Sequence, residues 1–215
     1  MCGIFGYVGS KEAVPIILKG LKRLEYRGYD SAGIAVQNGG SRILVRKRKG
    51  KVKELEAFLA EESIHGMTGL GHTRWATHGK PSDRNAHPHL DAESRVAVVH
   101  NGIIENYMEL RSKLKGEGYR FRSETDSEVF VHLIDKHYRR SKDLLDAVRK
   151  TLKEVRGSYA IGVLHRAEPG KLVISRVDSP LIVGIGEREN FVSSDIPAVL
   201  DHTKRSFRST TETSP

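Results

Sequence analysis

Cysteine is nearly absent from this chain: one residue in 215, and it stands at position 2. A single cysteine excludes an intramolecular disulfide framework and makes a reducing, cytoplasmic setting the default expectation. Long apolar runs are missing too, so nothing reads as a membrane span. The first residues lack the basic start and apolar stretch of a secretory signal, and export is not expected. No internal repeat, low-complexity segment or linker interrupts the chain before its last ten residues. What remains is 38% hydrophobic and 29% charged, long enough for one large domain with a proper core.

The charge leans positive, with a formal net of +9. Its densest cluster is Arg46-Lys47-Arg48-Lys49, followed by Lys51 and Lys53. No helix-turn-helix, zinc-finger or aromatic RNA-binding pattern accompanies it, so a specific nucleic-acid partner is not expected. The cluster reads as a solvated face, or as weak nonspecific attraction.

Short apolar runs predict strands at Ile4–Val8, Gly33–Val36, Ile43–Val45, Val96–Val99, Ser158–Leu164, Leu172–Ser175, Leu181–Ile185 and Phe191–Ser193. Helical stripes fall between them. Val14, Ile17, Leu18, Leu21 and Leu24 share one face, with Pro15 in the first turn where its missing N–H costs little. Val129, Phe130, Leu133 and Ile134 form another, and Leu145, Val148, Leu152 and Val155 a third. Tyr107, Leu110 and Leu114 predict a shorter helix ended by Gly116 or Gly118. The last four strands follow one another through short links, which argues for antiparallel pairing. An α+β protein with helices packed on antiparallel sheets is the natural architecture.

Cys2 is the first candidate for chemistry. With Met1 removed it carries both a thiol and a free α-amine, a nucleophile and a base on one residue. An unperturbed α-amine titrates at about 7.7–8.0, so much of it is neutral near physiological pH. By position alone, a cysteine near an N-terminus is more often inert. The stretch His72–Gly79, HTRWATHG, sets Arg74 beside Trp75, with Thr77 and His78 close behind. A guanidinium there can hold a carboxylate through two hydrogen bonds; the bland alternative is a surface loop with a packed Trp. The stretch His100–Asn106, HNGIIEN, follows an apolar run. Its Asn101-Gly102 pair reads first as a turn. It can also supply an oxyanion hole from the Asn amide and a backbone N–H. In Ser123–Glu128, SETDSE, the simple reading is helix N-capping; the sharper one turns Asp126 into a cleft to bind an ammonium group.

His72, His78, His87, His89 and His100 lie within 29 residues. Their spacings fit no common zinc pattern, and no second cysteine is available, so no metal is expected. Gly184–Gly186 lacks the third glycine and following helix of a dinucleotide site. No cofactor is expected.

Taken together, CGIFGYVG (Cys2–Gly9), LKRLEYRGYDSAGIA (Leu21–Ala35), GHTRWATHGKPSDRNAHPH (Gly71–His89), VVHNGIIENY (Val98–Tyr107) and SETDSEV (Ser123–Val129) resemble the glutaminase domain of glutamine–fructose-6-phosphate aminotransferases. Purine-pathway amidophosphoribosyltransferases share the N-terminal Cys and the Asn–Gly pair, but a different sequence is expected there in place of EYRGYDSAG and TRWATHG. The resemblance implies an N-terminal-nucleophile hydrolase fold, a four-layer α/β/β/α sandwich of two antiparallel sheets. It implies L-glutamine as substrate, hydrolysed through a thioester to glutamate and ammonia. Cys2 would be the nucleophile and its α-amine the base. Asn101 and the Gly102 N–H would form the oxyanion hole. Arg74, helped by Thr77 and His78, would bind the α-carboxylate, Asp126 the α-ammonium, and Trp75 would belong to a mobile lid. Two alternatives stay open: a non-catalytic glutamine-sensing or interaction module, and the glutaminase half of another class II amidotransferase.

The domain is expected over residues 2–205. The family's sugar-isomerase lobes have no counterpart in this sequence, so a partner chain or a missing C-terminal half would have to supply them. Ser206–Pro215, SFRSTTETSP, matches nothing in the family and is expected to be an aberrant, poorly packed tail. Codons for these ten residues exist that, read with one preceding G, translate as VVSFYDGDVA, an apolar strand and an Asp-Gly turn. A frameshift is therefore the expected origin of the tail, and the coding DNA tests it.

Overall fold

The computed structural model describes residues 2–39 and 42–208. Eleven strands and five α-helices follow the order β1 (Gly3–Val8), α1 (Ala13–Leu24), β2 (Ser31–Gln37), β3 (Ile43–Lys49), α2 (Val52–Glu61), β4 (Thr68–Arg74), β5 (His89–Leu90), β6 (Val96–Ile104), α3 (Tyr107–Gly116), α4 (Glu128–Ser141), α5 (Leu144–Glu154), β7 (Gly157–His165), β8 (Val173–Val177), β9 (Ile182–Ile185), β10 (Asn190–Ser193) and β11 (Ser206–Arg208). One sheet has the order β11-β9-β10-β1-β4-β2-β3, the other β5-β6-β7-β8. Every ladder is antiparallel.

Alternation along the strands sorts side chains into three apolar layers. Phe5, Tyr7, Ile34 and Val36 face outward from the larger sheet and meet Ile17, Leu21 and Leu24 of α1 and Leu55 and Leu59 of α2. Val96, Val98, Ile161 and Val163 face outward from the smaller sheet, onto Leu110 and Leu114 of α3, Phe130, Leu133 and Ile134 of α4, and Val148 of α5. Ile4, Ala35, Leu70, Ala97, Val99, Ala160 and Leu164 fill the space between the sheets. This is the expected four-layer α/β/β/α sandwich.

Several local expectations need correction. β4 was not foreseen: its sequence, TGLGHTR, has glycine and polar residues where a half-buried strand normally shows apolar ones. The two-residue β5 has no pattern to read. The end of the basic run leads into α2, whose buried face is only Val52, Leu55 and Leu59. The last strands pair antiparallel as expected but are divided between the sheets: β7 pairs β8 in the smaller sheet and β9 pairs β10 in the larger, so the β8–β9 link crosses between sheets. Of the tail, only the first three residues are described. Ser206–Arg208 forms edge strand β11 on β9, with Phe207 opposite Val183; residues 209–215 lie outside the described residues. Backbone pairing at an open edge requires no apolar periodicity, which is why composition missed it.

Candidate active site

The N-terminal end of β1 and the C-terminal end of β4 lie side by side, with Gly3 opposite Thr73. Cys2 therefore emerges beside Arg74 and Trp75. Its Sγ accepts a hydrogen bond from the Trp75 N–H at 3.2 Å and lies 3.5 Å from the Trp75 carbonyl. Burial pushes the Cys2 thiol up from its ordinary pKa, against the Trp75 backbone contact and the Arg74 guanidinium, which lower it. The Cys2 carbonyl accepts from Arg27 Nε at 3.1 Å and from Asn101 Nδ2 at 3.1 Å. The second contact ties the two sheets together at the site.

Arg74 is 4% exposed. Its Nη2 donates to the carbonyls of His78 and Gly79, the latter at 3.2 Å, while Nη1 is buried with no hydrogen-bond partner. An unsatisfied guanidinium N–H group this deep calls for an acceptor from outside the chain. Burial lowers the Arg74 pKa, and Cys2, Asp126 and Asp30 act against that shift.

Asn101 and Gly102 do not form the turn that their pairing first suggests. β6 runs on through them to Ile104, with Gly102 at φ +117°. A Cβ there would sit 2.0 Å from the Ser158 carbonyl, so the position demands glycine on two grounds. Asp126 is not a helix cap either. Its Oδ2 accepts from the Ile104 N–H at 3.0 Å and its Oδ1 from Ser127 Oγ at 3.2 Å; Ser127, at the N-cap of α4, makes no capping bond. Trp75 is not packed away: it is 44% exposed, edge-on to Tyr29 with ring centroids 5.5 Å apart. Thr77 is exposed. His78 sets its ring against Tyr107 at 5.4 Å, with Nδ1 buried and unpartnered.

Residues given no role by sequence reasoning hold these groups in place. Arg27, 8% exposed, bridges the Cys2 carbonyl and Asp195. Asp30 accepts from the Ala76 N–H at 2.8 Å, and its own N–H donates to the Arg74 carbonyl at 2.9 Å. Gly28 lets the chain approach the end of β4: a Cβ would lie 2.7 Å from Arg74 C and 2.8 Å from Trp75 N. Asn85 joins the loops that carry Arg74 and Asp126 through Lys80 O and Glu124 Oε2. The segment EYRGYDSAG carried the signal for three of these residues, but no chemistry of its own suggested it.

The histidine group is not one cluster: His72, His87 and His89 are buried together, His100 lies against Phe130 of α4, and His78 is only partly buried. His72 stacks on His87 with centroids 4.2 Å apart, and His87 meets His89 edge-on at 4.5 Å. Among the described residues no set of three such side chains is arranged to hold a metal ion. The basic strand is largely engaged: Arg46 pairs with Glu62, Arg48 pairs with Asp83 and lies 3.5 Å above the Phe58 ring, and Lys47 donates to the Ala86 carbonyl. No described helix is long and apolar enough to cross a membrane.

The glutamine amidotransferase domain family matches residues 72–201. The chain is 59% identical over 204 residues to the glutamine–fructose-6-phosphate aminotransferase [isomerizing] of Clostridium tetani, covering 95% of this chain and 33% of that protein. The protein of the same name from Aquifex aeolicus is 58% identical over 205 residues, covering 95% and 34%. The chain thus spans only a third of the length of these relatives. Among solved structures, the glutamine phosphoribosylpyrophosphate amidotransferase from B. subtilis, complexed with ADP and GMP, superposes with a TM-score of 0.80 at 28% identity, over 94% of this chain and 44% of that one. The likeness extends over both sheets and supports the N-terminal-nucleophile hydrolase fold. The chain belongs to the glutamine amidotransferase domain family.

Proposed function

We propose that this chain hydrolyses the side-chain amide of L-glutamine, with Cys2 as nucleophile in the form freed of Met1. The observation that carries the reading is the pairing of Cys2 Sγ, held at 3.2 Å by the Trp75 N–H, with the neighbouring Arg74, whose buried Nη1 has no partner. Glutamine is a zwitterion with an amide at its far end. Arg74 offers a cation for the α-carboxylate and Asp126 an anion for the α-ammonium, which would fix the amide carbonyl at the thiol. The thiol proton passes to the α-amine, and the thiolate adds to the carbonyl carbon. Asn101 Nδ2 and the Gly102 N–H stabilise the oxyanion. Both Asn101 amide hydrogens are engaged in the resting site, by Cys2 O at 3.1 Å and Ser194 Oγ at 2.9 Å, so one contact yields as charge develops. The C–N bond breaks, the protonated Cys2 α-amine returns its proton to the leaving nitrogen and ammonia leaves. Water then attacks the thioester, releasing glutamate and restoring the thiol. Thr77 and His78 line the carboxylate side, and Trp75 with Tyr29 forms the movable rim.

In this reading the ammonia serves glucosamine-6-phosphate synthesis from fructose 6-phosphate. An isomerase half, on the same longer protein or on a partner chain, supplies the acceptor site. A reducing cytoplasm suits a catalytic thiol. The test is a glutaminase assay with glutamine and asparagine side by side. Glutamine should be hydrolysed and asparagine spared, and Cys2→Ala should abolish turnover while glutamine binding persists. Binding without turnover by the wild type, processed at Met1, would instead mark a sensing module.

A further inference from the structure

We infer that His72 is a positioning residue for the reaction proposed above: its Nε2–H locks the Asn101 amide so that Nδ2, and not Oδ1, faces the nucleophile. His72 lies on β4, 1% exposed, two residues before Arg74. Its Nε2 is 3.0 Å from Asn101 Oδ1 and 3.1 Å from the His100 carbonyl oxygen. A backbone carbonyl can only accept, so Nε2 carries the proton and donates to both oxygens. Nδ1 is then bare, and it is buried without a partner.

This tautomer decides which way Asn101 points. Turning the amide over would bring its NH₂ against a nitrogen that already carries a hydrogen. It would also set Oδ1 against the Cys2 carbonyl, acceptor facing acceptor. In the observed orientation Oδ1 takes the His72 hydrogen, and Nδ2 donates to the Cys2 carbonyl and to Ser194 Oγ. Ser194 Oγ in turn accepts from the Ile4 N–H at 2.9 Å, anchoring this end to β1. An oxyanion donor is most effective when its group is already turned the right way, so that charge development exchanges one hydrogen bond and does not require the amide to turn over.

The ring is also held against rotation. It stacks on His87 at 15° between planes, and His87 Nδ1 accepts from the His100 N–H at 3.2 Å. Burial keeps His72 neutral, with a pKa of about 3, so its donor persists throughout the range in which the thiol works. His72 makes no hydrogen bond to Cys2, which separates positioning from proton transfer.

The inference rests on the glutaminase reading for its kinetics and is independent of it for its spectroscopy. In wild-type protein, ¹⁵N NMR of the histidine rings should show His72 neutral, protonated at Nε2 and bare at Nδ1, unchanged from pH 5 to 9. An Nδ1–H tautomer or a charged ring overturns the inference even if the enzyme is fully active, while an inactive wild type sinks only the reaction. In kinetics, His72→Leu should lower kcat by about tenfold with KM within about twofold. His72→Gln, which keeps an N–H donor, should recover most of that loss. In an Asn101→Ala background His72→Leu should cost almost nothing further, because the group it aims is gone. A structural role would lower kcat equally in both backgrounds, and that result overturns the inference. If His72→Leu does not fold, the ring tautomer of the wild-type protein decides the matter alone.

Discussion

Acid should destabilise this protein through its buried histidines, and His72 permits a figure. Its imidazole is neutral in the folded state, with a pKa lowered by burial from 6.5 to about 3. In the unfolded chain it protonates normally, so below pH 6.5 the unfolded state binds more protons. Stability therefore falls as pH drops through 6.5 and goes on falling until the folded pKa near 3 is reached. Between pH 7 and pH 5 the loss from His72 alone is about 2 kcal/mol, against a typical total of about 5–15 kcal/mol. His87, His89 and His100 are depressed by burial as well and act in the same direction. The measurement is urea unfolding of wild type and His72→Gln at both pH values. The variant cannot titrate at that position, so its loss on acidification should be smaller than that of wild type by about 2 kcal/mol. If the two proteins lose stability equally, to within about 0.5 kcal/mol, His72 is solvated or charged in the native state and the reasoning fails.

Other perturbations separate the proposed roles. Arg74→Ala should mainly raise KM, by the equivalent of about 1.5–3 kcal/mol for a charge-assisted contact. Asn101→Ala should lower kcat by about 10²–10³; steady-state kinetics showing these two effects exchanged would overturn the assignment. Gly28→Ala leaves an ordinary extended backbone, φ −175°, but drives a methyl group into the Arg74–Trp75 peptide. It should cost about 1–3 kcal/mol of stability by overpacking and about 10²-fold in kcat/KM by displacing the site. Wild-type kcat/KM beside an unchanged Tm would show that the close approach is not needed.

The outer layers were legible because their signal is local. Ile17, Leu21 and Leu24 recur at helical spacing and bury as one stripe, and Phe5 and Tyr7 alternate with Ile4 across β1. β4 was illegible although it is an interior strand of the larger sheet. A strand covered on both sides shows no alternation of polarity, and this one carries Gly69, Gly71 and His72 where α1 and the histidine group approach. The sheet assignment of β8 and β9 was out of reach for another reason. Antiparallel neighbours and strands in opposite sheets are both compatible with short links, and the choice between them rests on long-range packing.

At the site, the groups proposed to meet a substrate draw attention in the sequence and those that hold them do not. A thiol, a guanidinium, a carboxylate and an Asn–Gly pair each announce a chemistry by residue type. Arg27 and Asp30 act through backbone groups, which every residue type possesses, and Asn85 and His72 through side-chain oxygens that carry no chemistry of their own. Their partners lie 25, 46, 39 and 29 positions away in sequence, distances at which no spacing rule operates. His72 shows the consequence. In sequence it belonged to a candidate metal cluster and was set aside when the spacings failed. In the folded chain the same feature, an imidazole with one nitrogen buried against two carbonyl oxygens, becomes a fixed donor. What the sequence could not express is that a histidine unable to ionise serves best here, because a donor that never changes its protonation holds the Asn101 amide at every pH where the thiol can react.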